Sequence, residues 1–218
     1  MLPFTRAQFF DVFASYNTAV WPVQALAYLL GLVALAALAR GGRHANRAVG
    51  GVLALLWGWT GLVYHGLYFS SINRAALLFA ALFMLQAVLF VQAAVVHDRL
   101  RFARPSTPTA WVGVALVVYA LVLYPLIGLW TGHAYPALPM FGITPCPLTL
   151  FTFGLLLLTI GAVPWWVLVV PVAWSLIGGS AAFLLAVPQD GVLLASGVLA
   201  LALLRTRDRR GSVSAQRG

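Results

Sequence analysis

The sequence predicts an all-α integral membrane protein, a bundle of about seven transmembrane helices with its N-terminus outside the cytoplasm and its C-terminus inside. Three observations predict this fold. Hydrophobic residues make up 62% of the chain and charged residues only 8%, too few to cover the surface of a soluble domain of 218 residues. The apolar residues fall into seven stretches separated by short segments. Most of the arginines follow alternate stretches.

The N-terminal segment, residues 1–18, is predicted to form a short amphipathic helix ahead of the bundle. Thr5 and Gln8 have the spacing of a capping box, and Phe4 can pack on Phe9 at the start of that helix. Aromatic side chains recur on one side of the helix and polar side chains occupy the rest. Such a helix lies either in the membrane interface or over the bundle as a lid, and the sequence favours neither arrangement.

The transmembrane bundle is predicted to occupy residues 19–204. A helix needs about 20 residues to cross the apolar core of a bilayer, and most of the stretches meet that length. The fifth and seventh are short, so six spans with a peripheral last helix is the alternative. The predicted spans are 21–39, 49–67, 75–96, 110–130, 148–163, 165–187 and 192–204.

The distribution of arginine predicts the orientation. Eleven of the thirteen arginines lie in segments 40–47, 99–104 and 205–217, and each segment directly follows an apolar stretch. Because cytoplasmic loops are rich in basic residues, these segments, including a basic tail at 205–218, are expected in the cytoplasm, with the bundle in the cell inner membrane. The arginines that give the chain its net charge of +9 are then expected to contact the anionic lipid bilayer. The sequence has no recognisable nucleic-acid-binding module, so binding to nucleic acid is not expected.

Residues 131–147 form a loop that is rich in Pro and Gly but also strongly apolar. An exposed flexible loop would be more polar. We therefore expect an ordered segment that folds down into the outer mouth of the bundle. Non-helical backbone at that depth requires cover from protein or from a water-filled cavity.

Polar residues gather toward the same outer side and form a predicted ligand-binding site. An ionisable residue within a span is costly to bury, so His65 is a functional candidate, with a hydrogen bond to a neighbouring helix as the structural alternative. His133 belongs to the Pro-rich loop, and Asp190 lies in the turn between the sixth and seventh spans. The complete set of predicted ligand-binding residues is His65, Tyr64, Asn73, Arg74, His133, Tyr135 and Asp190.

No cofactor is predicted, and a metal ion is the one bound group for which the sequence offers candidate ligands. His65, His133, Cys146 and Asp190 are the candidate ligands, but no pair has the close spacing of a metal-binding motif, and Cys146 between two prolines is also typical of a buried small hydrophobe. Retinal is excluded because the chain has no lysine to form the Schiff base. Ser180 matches only part of a hydrolase nucleophile elbow, and close helix packing explains its small neighbours better.

The chain resembles a bacterial family of multi-pass membrane proteins that is classed as a domain of unknown function. The resemblance covers nearly the whole chain and implies a helical membrane protein, with permease-like activity as the only function that it suggests. It rests on Phe-Thr-x-x-Gln-Phe-Phe-x-Val-Phe-x-x-Tyr-Asn-x-Ala-Val-Trp-Pro at 4–22, Tyr-His at 64–65, Ile-Asn-x-Ala-Ala at 72–76, Gly-His-x-Tyr-Pro at 132–136, Phe-Gly-x-Thr-Pro-Cys-Pro at 141–147, Phe-Thr-Phe-Gly at 151–154 and Ile-Gly-Gly-Ser-Ala-Ala at 177–182.

Three functions are compatible with these observations. The first is a protein that binds or transports a small solute through a site open to the extracytoplasmic side. The second is a membrane-embedded enzyme that uses His65 and His133, with or without a bound metal ion. The sequence favours a protein that is not an enzyme. The third is a structural or accessory subunit that contacts a partner membrane subunit or a second copy of the chain.

Overall fold

The structure is a computed structural model that describes residues 2–104 and 106–215, with side chains described through Arg209. The predicted N-terminal segment 1–18 and the predicted basic tail 205–218 therefore extend beyond the described residues, at residue 1 and at residues 216–218. The prediction of an all-α fold is confirmed. The helices are α1 Arg6–Ala19, α2 Val23–Arg40, α3 Arg43–Trp59, α4 Ala76–Phe90, α5 Pro108–Val118, α6 Tyr124–Trp130, α7 Pro145–Leu157, α8 Trp165–Gly179, α9 Ala181–Leu184 and α10 Asp190–Ala215.

Several of these helices join into longer segments through tighter or wider turns. A π-helical turn at Thr60–Tyr68 extends α3, and another at Val91–Val96 extends α4. A third, at Tyr119–Leu123, connects α5 to α6. A 3₁₀ turn, Phe69–Ser71, ends the α3 segment. Five of the resulting segments are long and apolar enough to cross a membrane. They are Val23–Arg40, Arg43–Ser71, Ala76–Val96, Pro108–Trp130 and Trp165–Leu184.

Helix α7 differs from the predicted fifth span, 148–163, in both position and length. It begins at Pro145 and ends at Leu157, because prolines suit the first turn of a helix and because Thr159–Ile160 leaves the helix to pair with Arg101–Phe102 as a two-stranded β-ribbon. Every residue of α7 except Cys146 is buried. The sequence gives no sign of this enclosure, since a helix that is apolar all round suits lipid as well as protein.

The α7 helix packs closely on α5 through two glycines. A Cβ atom at Gly113 would lie 2.6 Å from the Gly154 carbonyl oxygen, and one at Gly154 would lie 2.8 Å from the Gly113 carbonyl oxygen. Helices α3 and α4 make a similar contact, where a Cβ atom at Gly50 would collide with the side chain of Ala94. Small residues thus allow the close helix approach on which membrane bundles depend.

The second half of the Pro-rich segment before α7, residues 138–144, is ordered and largely buried, as the sequence predicted, whereas residues 131–135 lie mostly on the surface. Leu138, Phe141 and Ile143 are each less than 5% exposed. The side-chain amide of Asn17 donates to the carbonyl oxygens of Pro136 and Leu138 at 2.6 and 2.8 Å. These bonds satisfy backbone groups that no helix or strand satisfies, which is what non-helical backbone inside a bundle requires.

Helix α1 lies over the bundle as a lid. The Thr5–Gln8 capping box and the Phe4–Phe9 contact are both present, so the predicted helix start is confirmed. The Phe13 ring stacks on the Tyr64 ring with a centroid distance of 5.4 Å, and Phe4 meets the ring of Phe69 at the same distance. The aromatic side of α1 therefore packs on the end of the α3 segment. We call this end of the bundle, with α1, the loop 131–144 and the turn 185–190, the α1 end.

The opposite end of the bundle, the basic end, comprises the junction of α2 and α3 at 40–47, the segments 97–104, 106–107 and 158–164, and the last described turns of α10. Arg104 Nε donates to the Ala39 carbonyl oxygen at 2.8 Å, and Arg43 lies 3.7 Å from Asp98. Arg207 donates to the carbonyl oxygens of Thr159 and Gly161 at 2.7 and 2.6 Å. Contacts across the chain thus gather the described arginines of all three predicted basic segments at one end.

Candidate functional site

A cavity of about 180 Å³ lies at the α1 end of the bundle. Helix α1 and the residues before it cover one side, and the start of α7, the α8–α9 junction and the start of α10 form much of the rest. Most of its wall is apolar, and eight aromatic side chains contribute to it. These are Phe4, Phe9, Phe13, Tyr64, Phe69, Phe79, Tyr124 and Trp174.

The cavity has one acidic lining residue among those that the structure describes, Asp190. The Tyr124 hydroxyl donates to Asp190 Oδ1 at 2.7 Å, and both residues are almost fully buried. The thiol of Cys146 lies beside this carboxyl group and also lines the cavity. Asp190 takes part in neither of the salt bridges between described residues, so no arginine or histidine there neutralises it.

Local sequence explains how Tyr124 and Asp190 meet. The π-helical turn Tyr119–Leu123 directly precedes Tyr124, and such turns reorient the side chains that follow them. The next residue, Pro125, cannot donate a hydrogen bond to Leu121, and the Tyr28 hydroxyl donates to the Leu121 carbonyl oxygen instead at 3.3 Å. Asp190 is the first residue of α10, where a carboxyl group is favoured by the helix dipole.

His65 lies behind the cavity wall and does not line it. Its imidazole is fully buried, and neither ring nitrogen has a hydrogen-bond partner among the described residues. Rings surround it, with Phe83 and Trp174 nearest at centroid distances of 4.7 and 5.0 Å. The predicted alternative, a hydrogen bond to a neighbouring helix, is therefore not observed there.

His133 lies on the surface of the α1 end and contacts α1. Its ring stacks on Phe10 at a centroid distance of 4.2 Å, and its Nε2 lies 3.3 Å from an Arg6 nitrogen. Nδ1 lies 3.2 Å from the Thr131 hydroxyl. Partial burial and then the nearby Arg6 charge lower the pKa of His133, so the neutral imidazole that fits these contacts is favoured.

Metal-ligating side chains do not cluster in the described part of the chain. No group of three His, Cys, Asp or Glu residues there is arranged to hold a metal ion. His65 and His133 share no ring neighbour, and neither lines the cavity that contains Cys146 and Asp190. The four candidate ligands are thus distributed over three places.

Comparison with known proteins places the chain in a family. A model of a family of unknown function (DUF6064) matches residues 6–215. The chain belongs to this family. Neither the curated proteins nor the solved structures yield a match. The family has no established activity, so it gives no support to the permease-like activity that the resemblance suggested.

The structure brings together some of the predicted ligand-binding residues. Tyr64, Asn73 and Asp190 line the cavity. His65, Arg74, His133 and Tyr135 do not, and the Tyr135 hydroxyl instead donates to the Asn17 carbonyl oxygen at 3.2 Å.

The predicted set of ligand-binding residues leaves out three cavity residues that matter here, Phe13, Tyr124 and Trp174. Tyr124 carried the one available signal, since it places a hydroxyl group within an apolar span and a buried hydroxyl needs a partner. Phe13 and Trp174 each place an aromatic ring in an apolar segment, which is typical of ordinary packing.

Proposed function

We propose that this protein crosses the cell inner membrane seven times and binds a small, largely apolar molecule in the cavity beneath α1. The observation that carries the proposal is an aromatic cavity with a buried polar end, where the Tyr124 hydroxyl meets the Asp190 carboxyl group. Pockets for small ligands are typically apolar with a few convergent polar groups, which fix the orientation of the ligand.

Seven crossings follow if two further segments join the five long helices. One is the buried loop 136–144 together with α7, which runs from the α1 end to the β-ribbon at the basic end. Its backbone is covered by protein, as is required of irregular structure at membrane depth. The other is α10, which runs from Asp190 at the α1 end to Arg207 at the basic end.

The basic end supports the proposed orientation. Described arginines from all three basic segments gather there, whereas Arg6 and Arg74 belong to the α1 end. By the positive-inside rule the basic end faces the cytoplasm, and the cavity lies on the extracytoplasmic side. A cytoplasm-active reporter fused after residue 217 should therefore be active, and a periplasm-active reporter should be silent. The reverse result would overturn this orientation.

The size of the cavity limits the ligand. An engineered apolar cavity of roughly 150 Å³ in another protein binds benzene, so a volume of about 180 Å³ suits a molecule only slightly larger than one aromatic ring. Such a ligand would reach the cavity on the α1 side, where α1 and Leu2 cover it. These contacts support binding from the extracytoplasmic side. Transport would require a second opening toward the basic end.

Thermal unfolding of the purified protein tests binding, with benzylamine, benzyl alcohol and sodium benzoate as probes of suitable size. A ligand at ten times its Kd stabilises the folded state by about 1.4 kcal/mol, which is enough to raise the Tm measurably. The cavity-filling variant Ala181→Leu places a larger side chain in the wall. Its matched control is Ala195→Leu, on an exposed face of α10.

We expect at least one probe to raise the Tm of the wild type and of Ala195→Leu, and to have little effect on Ala181→Leu. The reason is that only the variant in the wall removes the space that the probe occupies. If no probe distinguishes Ala181→Leu from Ala195→Leu, the cavity is not a binding site for molecules of this size, and the accessory-subunit hypothesis is favoured.

A further inference from the structure

We infer that the cavity selects an organic cation, a compact molecule with an apolar body and an ammonium group. The inference rests on the proposed binding function and specifies its ligand. Two features of the cavity support it, the number of aromatic rings in its wall and the single carboxyl group at its polar end.

The aromatic rings form two groups on the cavity wall. Phe13, Tyr64 and Phe69 make a nearly parallel stack, with centroid distances of 5.4 and 5.8 Å between neighbours. Phe79 and Trp174 meet edge to face at 5.3 Å. The faces of aromatic rings carry partial negative charge and attract cations within about 6 Å, and cages of such rings recognise alkylammonium groups.

The carboxyl group of Asp190 supplies the second feature. Its side-chain partners are both neutral, since the Tyr124 hydroxyl donates to it at 2.7 Å and the Cys146 thiol lies within hydrogen-bonding reach of it. A carboxyl group buried without a nearby cation is costly to ionise, and an ammonium ligand would provide a positive charge that stabilises its ionised form. The lining residues in the described chain include no arginine or histidine that would already provide it or repel the ligand.

Other ligand classes fit these features less well. An anion would meet the Asp190 carboxyl group, with no cation among the described lining residues to offset the repulsion. A neutral molecule would bury the apolar surface equally well but would leave the carboxyl group without a partner charge. The expected order of affinity is therefore cation, then neutral molecule, then anion.

The three probes named above differ mainly in charge, so their ranking tests the inference. At pH 7 we expect the apparent Kd of benzylammonium for the wild type to be at least about tenfold lower than that of benzyl alcohol, with benzoate the weakest. Apparent Kd values come from the dependence of the Tm on probe concentration. The wild-type series decides the question even if a variant fails to fold.

Asp190→Asn keeps the shape of the side chain and removes its charge, so it should abolish most of the preference for benzylammonium over benzyl alcohol. The matched control Asp11→Asn changes an exposed carboxyl group on α1 and should keep the wild-type preference.

Three results would each overturn a different part of the proposal. If benzyl alcohol or benzoate binds the wild type as tightly as benzylammonium, and Ala181→Leu loses that binding, the cavity binds ligands but does not select cations. If Asp190→Asn folds and retains the full preference, Asp190 is not its source, and the inference is wrong. If no probe binds, the proposed function itself fails.

Discussion

The Tyr124 hydroxyl donates a 2.7 Å hydrogen bond to the Asp190 carboxyl group, and this bond joins α6 to the first residue of α10 across 66 positions of sequence. Both side chains are at most 2% exposed. A buried polar pair of this kind contributes to stability mainly because the loss of one partner leaves the other unsatisfied. The same pair provides the polar end of the cavity, so stability and the proposed ligand binding depend on one contact.

Tyr124→Phe should therefore destabilise the protein by about 1–3 kcal/mol, because it removes the donor to a buried carboxyl group. Thermal unfolding of the purified protein measures the loss. The matched control is Tyr28→Phe, which removes a longer, 3.3 Å bond from a partly buried tyrosine and should cost less. Equal Tm values for the wild type and Tyr124→Phe would show that the Asp190 bond contributes nothing.

Phe9→Ala should loosen α1 from the bundle. The Phe9 ring is 8% exposed and packs on Phe4, Phe13 and Phe69, which hold the lid over the cavity. With the lid loosened, we expect Cys146 in the cavity wall to react faster with a small neutral thiol reagent, measured by intact mass. Phe183→Ala changes a ring that is 79% exposed and should leave the rate unchanged. An unchanged rate in Phe9→Ala would mean that α1 does not limit access.

Gly50→Val should disrupt the packing of α3 on α4, because even a Cβ atom at this position would collide with Ala94. Overpacking of this kind costs about 1–3 kcal/mol and is expected to lower the Tm. Gly51→Val is a demanding control, since it adds the same side chain one residue away where nothing lies within 4 Å. Similar Tm losses in both variants would point to helix propensity rather than packing.

The pKa of His133 predicts a small dependence of stability on pH. Because burial and Arg6 lower this pKa in the folded state, the unfolded chain binds the proton more readily, and stability should fall as the pH drops below about 6.5. Tm measurements between pH 5 and pH 8 should show this decline in the wild type and a shallower one in His133→Gln. Arg6→Gln should also make it shallower, and a profile that neither variant alters would assign the effect to other groups.

Sequence reasoning predicted the features that depend on local pattern. The long apolar helices follow from the length of apolar runs, and the Thr5–Gln8 capping box follows from residue spacing. The burial of residues 138–144 of the Pro-rich loop followed from its apolar composition, whereas residues 131–135 lie mostly on the surface. The position of the arginines predicted the segments that gather at the basic end.

The features that sequence reasoning missed depend on contacts between distant segments. In a helix that is apolar on nearly every side, such as α7, side chains that face lipid and side chains that face protein have the same composition, so the near-complete burial of α7 leaves no pattern in the sequence. The cavity is lined by residues from almost the whole length of the chain, and π-helical turns change which side chains face it. His65 was singled out because it is polar, yet it lies behind the wall among aromatic rings.

Cys146 lines the cavity beneath α1, which we propose to be reached from the extracytoplasmic side, and the single cysteine of the sequence allows a direct test of that proposal. The reagent is 2-(trimethylammonio)ethyl methanethiosulfonate, a compact cation that does not cross membranes. Applied outside right-side-out spheroplasts, it should add one adduct to the folded wild type and react more slowly with Ala181→Leu than with Ala195→Leu. Labelling only in inverted vesicles, or only after unfolding, would contradict the account.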